Sequence, residues 1–292
     1  MKYIYYPGCS LRGTGRAYEE SLLPVLKALE VPYEELEEWN CCGATAYMSV
    51  DEGKAFALAA RNLALAEDRG SGEEKVPPTI MAPCAACYLG LNKAKRYMSE
   101  NPQLLQKVRK ALAAADLKYK GEAVVRHPLD IFVNDVGIDR IKAAMKKPLA
   151  GVKVAPYYGC QIVRPFAEFD DQENPVSMDK ILKALGAEVV DWPLKVRCCG
   201  GSLTGTMNEV GVRLNYILLR EARRRGADVV ATACPLCQFN LECYQDKMSS
   251  WYEDPIRMPV AYFTQLMGLA LGIPPNELGF NHVFVKPEVA LA

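Results

Sequence analysis

The sequence predicts an α/β protein with two pseudo-symmetric halves, each a mainly parallel sheet flanked by helices. Short strand-like stretches alternate with longer helical patterns along the chain, which is typical of parallel sheets. The tripeptide Cys-Cys-Gly occurs twice, at Cys41-Cys42-Gly43 and Cys198-Cys199-Gly200. Each copy follows a lone cysteine and precedes a Cys-x-x-Cys pair, and the matching cysteines lie about 150 residues apart. The chain therefore contains an internal repeat.

The first half begins with a strand and then alternates helices and strands. Leu22, Leu26 and Leu29 recur at helical spacing, and residues 51–69 are rich in alanine and leucine, so both stretches predict helices. Residues 70–72, Gly-Ser-Gly, predict an exposed loop. The predicted strands are 2–6, 32–39, 76–81 and 123–125, and the predicted helices are 15–29, 51–69, 89–99, 102–115 and 127–136.

The second half repeats this plan, and the boundary near residues 146–151 gives two predicted domains, 1–147 and 148–292. Tyr157-Tyr158-Gly159-Cys160 matches Tyr6-Pro7-Gly8-Cys9, so the repeat extends beyond the cysteines. The predicted strands are 152–157, 188–192, 229–232 and 259–263, and the predicted helices are 178–185, 208–225, one after Cys237, and 264–271.

Each cysteine motif stands where a strand ends and a helix begins. Open α/β sheets place their sites at this edge, and the backbone N–H groups of a helix start favour thiolates. We therefore expect the five cysteines of each half to converge at one sheet edge. We also expect the two edges to meet around one cavity.

Composition and charge exclude several classes of function. The chain has 292 residues, with 35 basic and 35 acidic side chains and a net charge of zero, which gives no support to nucleic-acid binding or to adhesion to an anionic membrane. No apolar run approaches the ~18 residues of a spanning helix, and the N-terminus has the pattern of a strand, not of a signal peptide. We expect a cytoplasmic protein without direct membrane insertion. Eleven cysteines in such a protein indicate metal binding or redox chemistry.

Five cysteines in each half form a candidate metal site. Zinc normally takes four ligands, and two adjacent cysteines are a poor tetrahedral chelate. Thiolates suit iron–sulfur clusters, and a fifth thiol indicates an unusual cluster or a cubane with a spare reactive thiol. Zinc in one half, or ordinary buried or disulfide-bonded cysteines, are the alternatives. The two sets are Cys9, Cys41, Cys42, Cys84 and Cys87, and Cys160, Cys198, Cys199, Cys234 and Cys237.

Cys243 lies outside this repeated pattern and has no counterpart in the first half. We interpret it as a buried free thiol, with an accessory ligand as the alternative.

The double pattern resembles the cysteine-rich CCG domains of the B subunit of heterodisulfide reductase. The opening segment at residues 5–11, Tyr-Tyr-Pro-Gly-Cys-Ser-Leu, also resembles that protein, and all ten motif cysteines are present. The resemblance covers nearly the whole chain. Other proteins with this pattern act in glycolate and lactate oxidation, anaerobic glycerol phosphate oxidation and quinone-linked complexes.

The resemblance implies that each set of five cysteines holds a noncubane 4Fe-4S cluster. It implies that the two clusters face each other across a cavity at the interface of the halves and that a disulfide, such as the coenzyme M–coenzyme B heterodisulfide of methanogenesis, is split between them. The implied partners are a ferredoxin-type protein with 4Fe-4S cubanes, like the C subunit of the reductase, and, through it, a flavin-containing protein like the A subunit.

Six further residues are candidates beside the cysteines. His127 is a possible proton donor, although Tyr262 occupies nearly the equivalent place in the second repeat, which favours a capping or packing role. Five basic residues near the motifs are candidate partners for an anionic group on the substrate, with charged side chains of exposed loops as the alternative. These five are Arg12, Arg16, Arg164, Lys195 and Arg197.

Together these observations predict the catalytic subunit of a heterodisulfide reductase-like complex, which reduces a disulfide to two thiols or runs the reverse reaction. Two alternatives remain. One is a CCG protein of a quinone-linked or sulfur-oxidising complex that acts on another thiol compound. The other is an electron-relay module with one cluster and one zinc.

Overall fold

The computed structural model of the protein describes residues 2–44, 46–69 and 76–292. Its strands form two four-stranded sheets with the orders β2-β1-β3-β4 and β6-β5-β7-β8, and every pairing in the described residues is parallel. The second sheet thus repeats the first, which confirms the predicted fold class. The strands are β1 (Tyr3–Tyr5), β2 (Tyr33–Glu35), β3 (Thr79–Met81), β4 (Val124–Arg126), β5 (Lys153–Tyr157), β6 (Glu188–Val189), β7 (Val229–Thr232) and β8 (Val260–Tyr262).

Helices fill the connections, as parallel neighbours require a crossover between strands. The helices are α1 (Gly8–Leu11), α2 (Arg16–Ala28), α3 (Ala46–Val50), α4 (Glu52–Arg69), α5 (Ala85–Glu100), α6 (Pro102–Ala113), α7 (Pro128–Ile131), α8 (Ile138–Ala144), α9 (Ser177–Ala184), α10 (Leu203–Thr206), α11 (Asn208–Arg224), α12 (Pro235–Cys243), α13 (Gln245–Tyr252), α14 (Phe263–Ala270) and α15 (Glu288–Leu291). A π-helical turn, Phe132–Val136, follows α7, and two 3-10 turns, Pro275–Glu277 and Phe280–His282, follow α14.

The predicted elements agree with these bounds where the sequence is strongly periodic. Helix α4 begins one residue after its predicted start, and strand β7 has its predicted ends. The sequence does not predict the short helices α1, α3, α8 and α10, because four to seven residues are too few to show a helical period. The loop predicted at 70–72 lies outside the described residues.

One compact unit comprises Met1–Cys9 and Pro32–Pro128 and contains the first sheet. Ala59, Ala60 and Leu63 of α4 are fully buried, and such small side chains allow close helix packing. Glu67 at the end of this helix is also buried, and its carboxylate accepts hydrogen bonds from the backbone N–H groups of residues 120–123 at 2.6 to 3.1 Å. These bonds fix the segment that leads into β4.

The other compact unit comprises Ser10–Val31 and Leu129–Ala292 and contains the second sheet. It also contains α2 of the first repeat, whose apolar face packs on α14. Tyr18 and Tyr262 stack with ring centroids 4.6 Å apart, and the hydroxyls of Ser21 and Thr264 are hydrogen-bonded at 2.6 Å. The compact units therefore do not follow the sequence repeats, because α2 and the helices after β4 pack with the helices of the second repeat. The division of the sequence into domains 1–147 and 148–292 stays a prediction.

Candidate metal centres

The ten motif cysteines lie at the carboxyl ends of the strands of their own sheet. Cys9 follows β1, Cys41 and Cys42 follow β2, and Cys84 is the residue before α5, just after β3. In the second sheet Cys160 follows β5, Cys198 and Cys199 follow β6, and Cys234 stands directly before α12 after β7. Cys87 and Cys237 lie in the first turns of α5 and α12. Because the strands are parallel, each set of five meets at one edge of its sheet.

The sulfur atoms of the first set approach one another in pairs. The Cys9 and Cys41 Sγ atoms are 3.8 Å apart, and the Cys42 and Cys87 Sγ atoms are 3.3 Å apart. The backbone N–H of Gly43 donates to the Cys41 Sγ at 3.5 Å. A disulfide bond requires about 2.05 Å, so these are free thiols.

The second set repeats this geometry. The Cys199 and Cys237 Sγ atoms are 3.6 Å apart, and the backbone N–H of Gly200 donates to the Cys198 Sγ at 3.2 Å. The repeat of the sequence is therefore also a repeat of the thiol arrangement.

Two of the three Sγ–Sγ distances fit thiolates that share a metal ion, whereas the Cys42–Cys87 distance of 3.3 Å is shorter. Two thiolates on one tetrahedral ion, each bound at about 2.3 Å, lie about 3.8 Å apart. The Cys9–Cys41 and Cys199–Cys237 distances of 3.8 and 3.6 Å are close to that value. Within residues 2–44, 46–69 and 76–292, no group of three or more His, Cys, Asp or Glu side chains is arranged to hold one metal ion. The donor set of each unit, five soft sulfurs, is chemically suited to an iron–sulfur group.

Crowding of the thiols separates their pKa values. Hydrogen bonds from Cys42 and Cys9 hold the pKa of Cys41 well below its usual range, and hydrogen bonds from Cys160 and Cys199 do the same for Cys198. The pKa of Cys9 is raised because its thiol donates to Cys41 and is partly buried. These shifts favour the thiolate form of Cys41 in the first set and of Cys198 in the second.

Glycine lets two of the thiols approach the backbone. Gly8 and Gly159 precede the lone cysteines and have φ angles of +66° and +68°. A Cβ atom at Gly8 would lie 2.8 Å from the Cys87 Sγ, and one at Gly159 would lie 3.0 Å from the Cys237 Sγ. Both positions therefore exclude any larger residue.

Buried polar side chains outside the predicted site residues hold the Cys-Cys-Gly loops. Tyr6 Oη donates to the Asn40 carbonyl at 2.7 Å, and Tyr157 Oη donates to the Arg197 carbonyl at 2.6 Å. Asn62 Nδ2 donates to the same Asn40 carbonyl at 3.0 Å. In the second unit Asn215 Nδ2 donates to the Cys199 carbonyl at 3.0 Å. The available signal is an asparagine in each of the two long helices after Cys-Cys-Gly.

His127 is fully buried behind the first set. Its Nε2 lies 2.8 Å from the carbonyl oxygen of Pro83, the residue before Cys84, and its ring packs edge-on against Tyr88. Met81 pairs with Arg126 and Ala231 pairs with Ala261, so His127 and Tyr262 occupy equivalent places, as the repeat indicates. A proton-donating role for His127 stays a prediction.

Three of the four predicted substrate-binding arginines already have acidic partners. Arg12 is exposed and lies 3.2 Å from Glu19, and Arg16 is exposed and lies 2.9 Å from Glu20. Arg164 is half-buried, with its Nη2 3.0 Å from Glu173. Arg197 is exposed directly beside Cys198.

Lys195 is buried, and its contacts are internal. Its Nζ lies 2.9 Å from the Asp179 carboxylate and 3.1 Å from the Pro175 carbonyl. Tyr158 Oη donates to the other oxygen of Asp179 at 2.5 Å, and the Tyr158 N–H donates to the Lys195 carbonyl at 2.9 Å. This network joins the segments that carry Cys160 and Cys198. A substrate-binding role for the five basic residues stays a prediction.

Cys243 is a half-buried free thiol rather than a fully buried one. Burial raises its pKa to about 11, and the neighbouring Glu242 adds to the shift.

The sequence profile of the CCG cysteine-rich domain family matches residues 3–92 and 154–242 of this chain. The 8-methylmenaquinol:fumarate reductase membrane anchor subunit of Wolinella succinogenes is 33% identical over 96% of both chains. A protein of Archaeoglobus profundus described as like the B subunit of heterodisulfide reductase is 30% identical and covers 99% of this chain and 97% of its own. The B subunit of the Ferredoxin/F(420)H(2)-dependent CoB-CoM heterodisulfide reductase of Methanosarcina acetivorans is 31% identical and covers 96% of this chain and 92% of its own.

A crystal structure of a hypothetical protein from Helicobacter pylori has the same fold, with a TM-score of 0.73 at 16% identity. The match covers 98% of this chain and 52% of that one, so this chain spans about half the length of that protein. In the described part of the chain, every helix is too short or too polar to cross a membrane. Because the profile matches both repeats and the similar proteins align over almost their whole length, the chain belongs to the CCG cysteine-rich domain family and is similar throughout to the B subunit of heterodisulfide reductase.

Proposed function

We propose that this chain is the disulfide-cleaving subunit of a heterodisulfide reductase-like complex. The observation that carries the proposal is the presence of five thiols at the same edge of each of two matching sheets. The similarity to two proteins named for the B subunit of heterodisulfide reductase, at 30% and 31% identity, supports it. In the reaction a disulfide takes up two electrons and two protons and becomes two thiols. The direction follows the potentials of the partners, as for any disulfide couple.

Under this proposal each set of cysteines holds a noncubane 4Fe-4S cluster. When bound, the two clusters would supply one electron each to the sulfur–sulfur bond. The ligands would be Cys9, Cys41, Cys42, Cys84 and Cys87 for one cluster, and Cys160, Cys198, Cys199, Cys234 and Cys237 for the other.

The residues around the cysteines would hold these ligands in place. The backbone N–H groups of Gly43 and Gly200 point at the sulfurs of Cys41 and Cys198, where they stabilise negative charge. Asn62 and Asn215 anchor the carbonyls of the Cys-Cys-Gly loops. When metal is bound, these hydrogen bonds would orient the ligands and favour their thiolate form.

The electrons require a partner, since the two thiol sets only pass them on. We propose a ferredoxin-type protein with 4Fe-4S cubanes, like the C subunit of the reductase, fed by a flavin-containing protein like its A subunit, in the cytoplasm. The names of similar proteins support such a complex, because they are subunits of ferredoxin-dependent heterodisulfide reductases. Arg12, Arg16, Arg164, Lys195 and Arg197 are the proposed candidates for an anionic group on the disulfide.

The first experiment measures the content of iron, acid-labile sulfide and zinc per chain in protein purified without oxygen. The proposal requires about eight irons and about eight sulfides, as for two four-iron clusters, and no zinc. About four irons with one zinc would instead support the relay module with one cluster. Protein free of iron under these conditions would contradict both.

A quinone-linked complex is a second candidate, because the Wolinella succinogenes protein is 33% identical over nearly its whole length. The two candidates differ in the molecule that exchanges electrons. Protein with both clusters is mixed with a reduced viologen dye and either the coenzyme M–coenzyme B heterodisulfide or a menaquinone analogue. Release of two thiols per disulfide supports the reductase, whereas protein-dependent dye oxidation by the quinone alone supports the quinone-linked complex.

A further inference from the structure

The two thiol sites differ at a helix position close to the sulfur atoms. The third residue after the last cysteine of the set is Gly90 in α5 and Asn240 in α12. On a helix, a residue three positions on lies on the same face, so both positions face the region of the thiols.

The Asn240 side chain is fully buried and contacts a proposed ligand. Its Nδ2 lies 3.4 Å from the Cys199 Sγ and donates to the Gly201 carbonyl at 2.8 Å. Its Oδ1 accepts a hydrogen bond from Thr204 Oγ1 at 2.8 Å. Because the Gly201 carbonyl can only accept, the NH₂ end of the amide is the end that faces the sulfur.

The first site has no space for such a group. A Cβ atom at Gly90 would lie 3.0 Å from the Ala44 Cβ and 3.8 Å from the Cys42 Sγ. The backbone donors, in contrast, are shared: Gly43 N–H and Gly200 N–H serve Cys41 and Cys198. At this helix position, therefore, the second site has a side-chain N–H donor to sulfur and the first has a glycine.

We propose that Asn240 raises the reduction potential of the iron–sulfur group held by the second set above that of the group held by the first. Reduction adds negative charge, part of which resides on the sulfur ligands, and an N–H donor to such a sulfur stabilises the reduced form. The second group then takes the first electron and the first group takes the second. This inference rests on the proposed function, because both sets must hold such groups.

The test is a redox titration of the whole protein, purified without oxygen and followed by electron paramagnetic resonance and visible absorbance. Wild type is expected to show two one-electron transitions at different potentials. Asn240→Leu keeps the number of side-chain heavy atoms and the branch at Cγ but lacks the donor, so it should move the higher transition to lower potential and leave the other in place. A tenfold change in the ratio of reduced to oxidised group corresponds to about 59 mV for a one-electron couple, and we expect a shift of about this size or smaller.

Asn92→Leu is the matched control in the first unit. Asn92 lies on α5, the helix that carries Cys87. Its Nδ2 donates to the carbonyls of Tyr88 and Val125. This variant should keep both potentials.

Thr204→Val provides a second variant in case Asn240→Leu does not retain iron. It removes the hydroxyl that orients the Asn240 amide and keeps the amide itself, so the same transition should move in the same direction by less. If the two clusters of the wild type had the same potential, this inference would be wrong but the proposed function would stand. The same holds if both Asn240→Leu and Thr204→Val left the potentials unchanged. Wild-type protein without iron in both sets would overturn the proposed function as well.

Discussion

At the scale of single residues, the thiol sites depend on positions without a side chain. Gly159 has a φ of +68° and stands where a Cβ would contact the Cys237 Sγ. Gly200 has a φ of +93°, and a Cβ there would lie 3.2 Å from the Gly211 Cα. Glycine is favoured at such angles, but the close approach of a sulfur or a backbone atom is a separate constraint, and the two can be separated by mutation.

A comparison of Gly159→Ala with Gly226→Ala separates the effect of the backbone angle from the effect of the close contact. Gly226 has a φ of +78° and nothing within 4 Å of the position that a Cβ would take, so both variants lose roughly 1–2 kcal/mol of stability from the left-handed backbone. Only Gly159→Ala also pushes against the Cys237 Sγ, and we expect it to lose iron from the second set. Thermal unfolding and iron content per chain measure the two effects. Equal iron content in both variants would contradict a steric role for Gly159.

At the scale of secondary structure elements, α2 is placed by its partner helix and not by its neighbours in sequence. Its apolar face is buried, with Tyr18, Leu22, Val25 and Leu26 all inaccessible to solvent. The hydrogen bond between Ser21 and Thr264 joins it to α14 across 243 residues of sequence. Buried hydroxyls need such partners, because an unpaired one costs about 1–3 kcal/mol.

A double-mutant cycle on Ser21→Ala and Thr264→Val tests this helix pair. Ser21→Ala leaves the buried Thr264 hydroxyl without this partner and should lose about 1–2 kcal/mol of the free energy of unfolding. Thr264→Val should lose less, because the Ser21 hydroxyl still donates to the Tyr18 carbonyl at 3.0 Å. The double variant should lose less than the sum, since the hydroxyl that Ser21→Ala leaves unpaired is then absent. Denaturant unfolding measures all four proteins. Strictly additive losses would show that the two hydroxyls do not interact.

At the scale of the whole molecule, a buried carboxylate connects the second thiol site to the end of the chain. Glu242 lies on α12, the helix that carries Cys237, and accepts hydrogen bonds from the backbone N–H groups of Phe284 and Val285 at 2.8 and 3.1 Å. Burial raises its pKa from 4.5 to about 7. The pH dependence of the free energy of unfolding should therefore report on this contact.

A raised pKa means that the folded protein binds this proton more tightly than the unfolded chain. The resulting stabilisation is complete below about pH 4.5 and is lost as the pH rises through about 7. Between about pH 5.5 and about pH 8, wild type should lose about 2 kcal/mol of the free energy of unfolding relative to Glu242→Gln. Denaturant midpoints at the two pH values measure this loss of stability. Glu209→Gln, at an exposed glutamate, is the control. Parallel profiles for wild type and Glu242→Gln would contradict the assignment.

Much of the fold is predictable because the helices are long and the repeat is explicit. The period in α4 and α11 predicts those helices to within a residue, and the repeat identifies which cysteines belong together. The partner of α2 is not predictable, since an amphipathic pattern gives the buried face of Leu22 and Leu26 but not the element that covers it.

The polar residues around the site are predictable only in part. Lys195 is recognisable in the sequence as a basic residue near a motif, but its burial depends on Asp179, whose approach only the tertiary structure shows. Asn62 and Asn215 each lie within a long helix, where one asparagine has no periodic signal of its own. Their role becomes visible once the helix is seen to pass beside the Cys-Cys-Gly loop.

The pairing of α2 with α14 also bears on how the protein is made in the cell. Ser21 leaves the ribosome early, and Thr264 follows 243 residues later, which is roughly 12 to 50 seconds at ordinary rates of synthesis. During that interval the apolar face of α2 has no partner from α14 to cover it. The nascent chain therefore offers an exposed apolar helix to molecular chaperones until translation has passed α14.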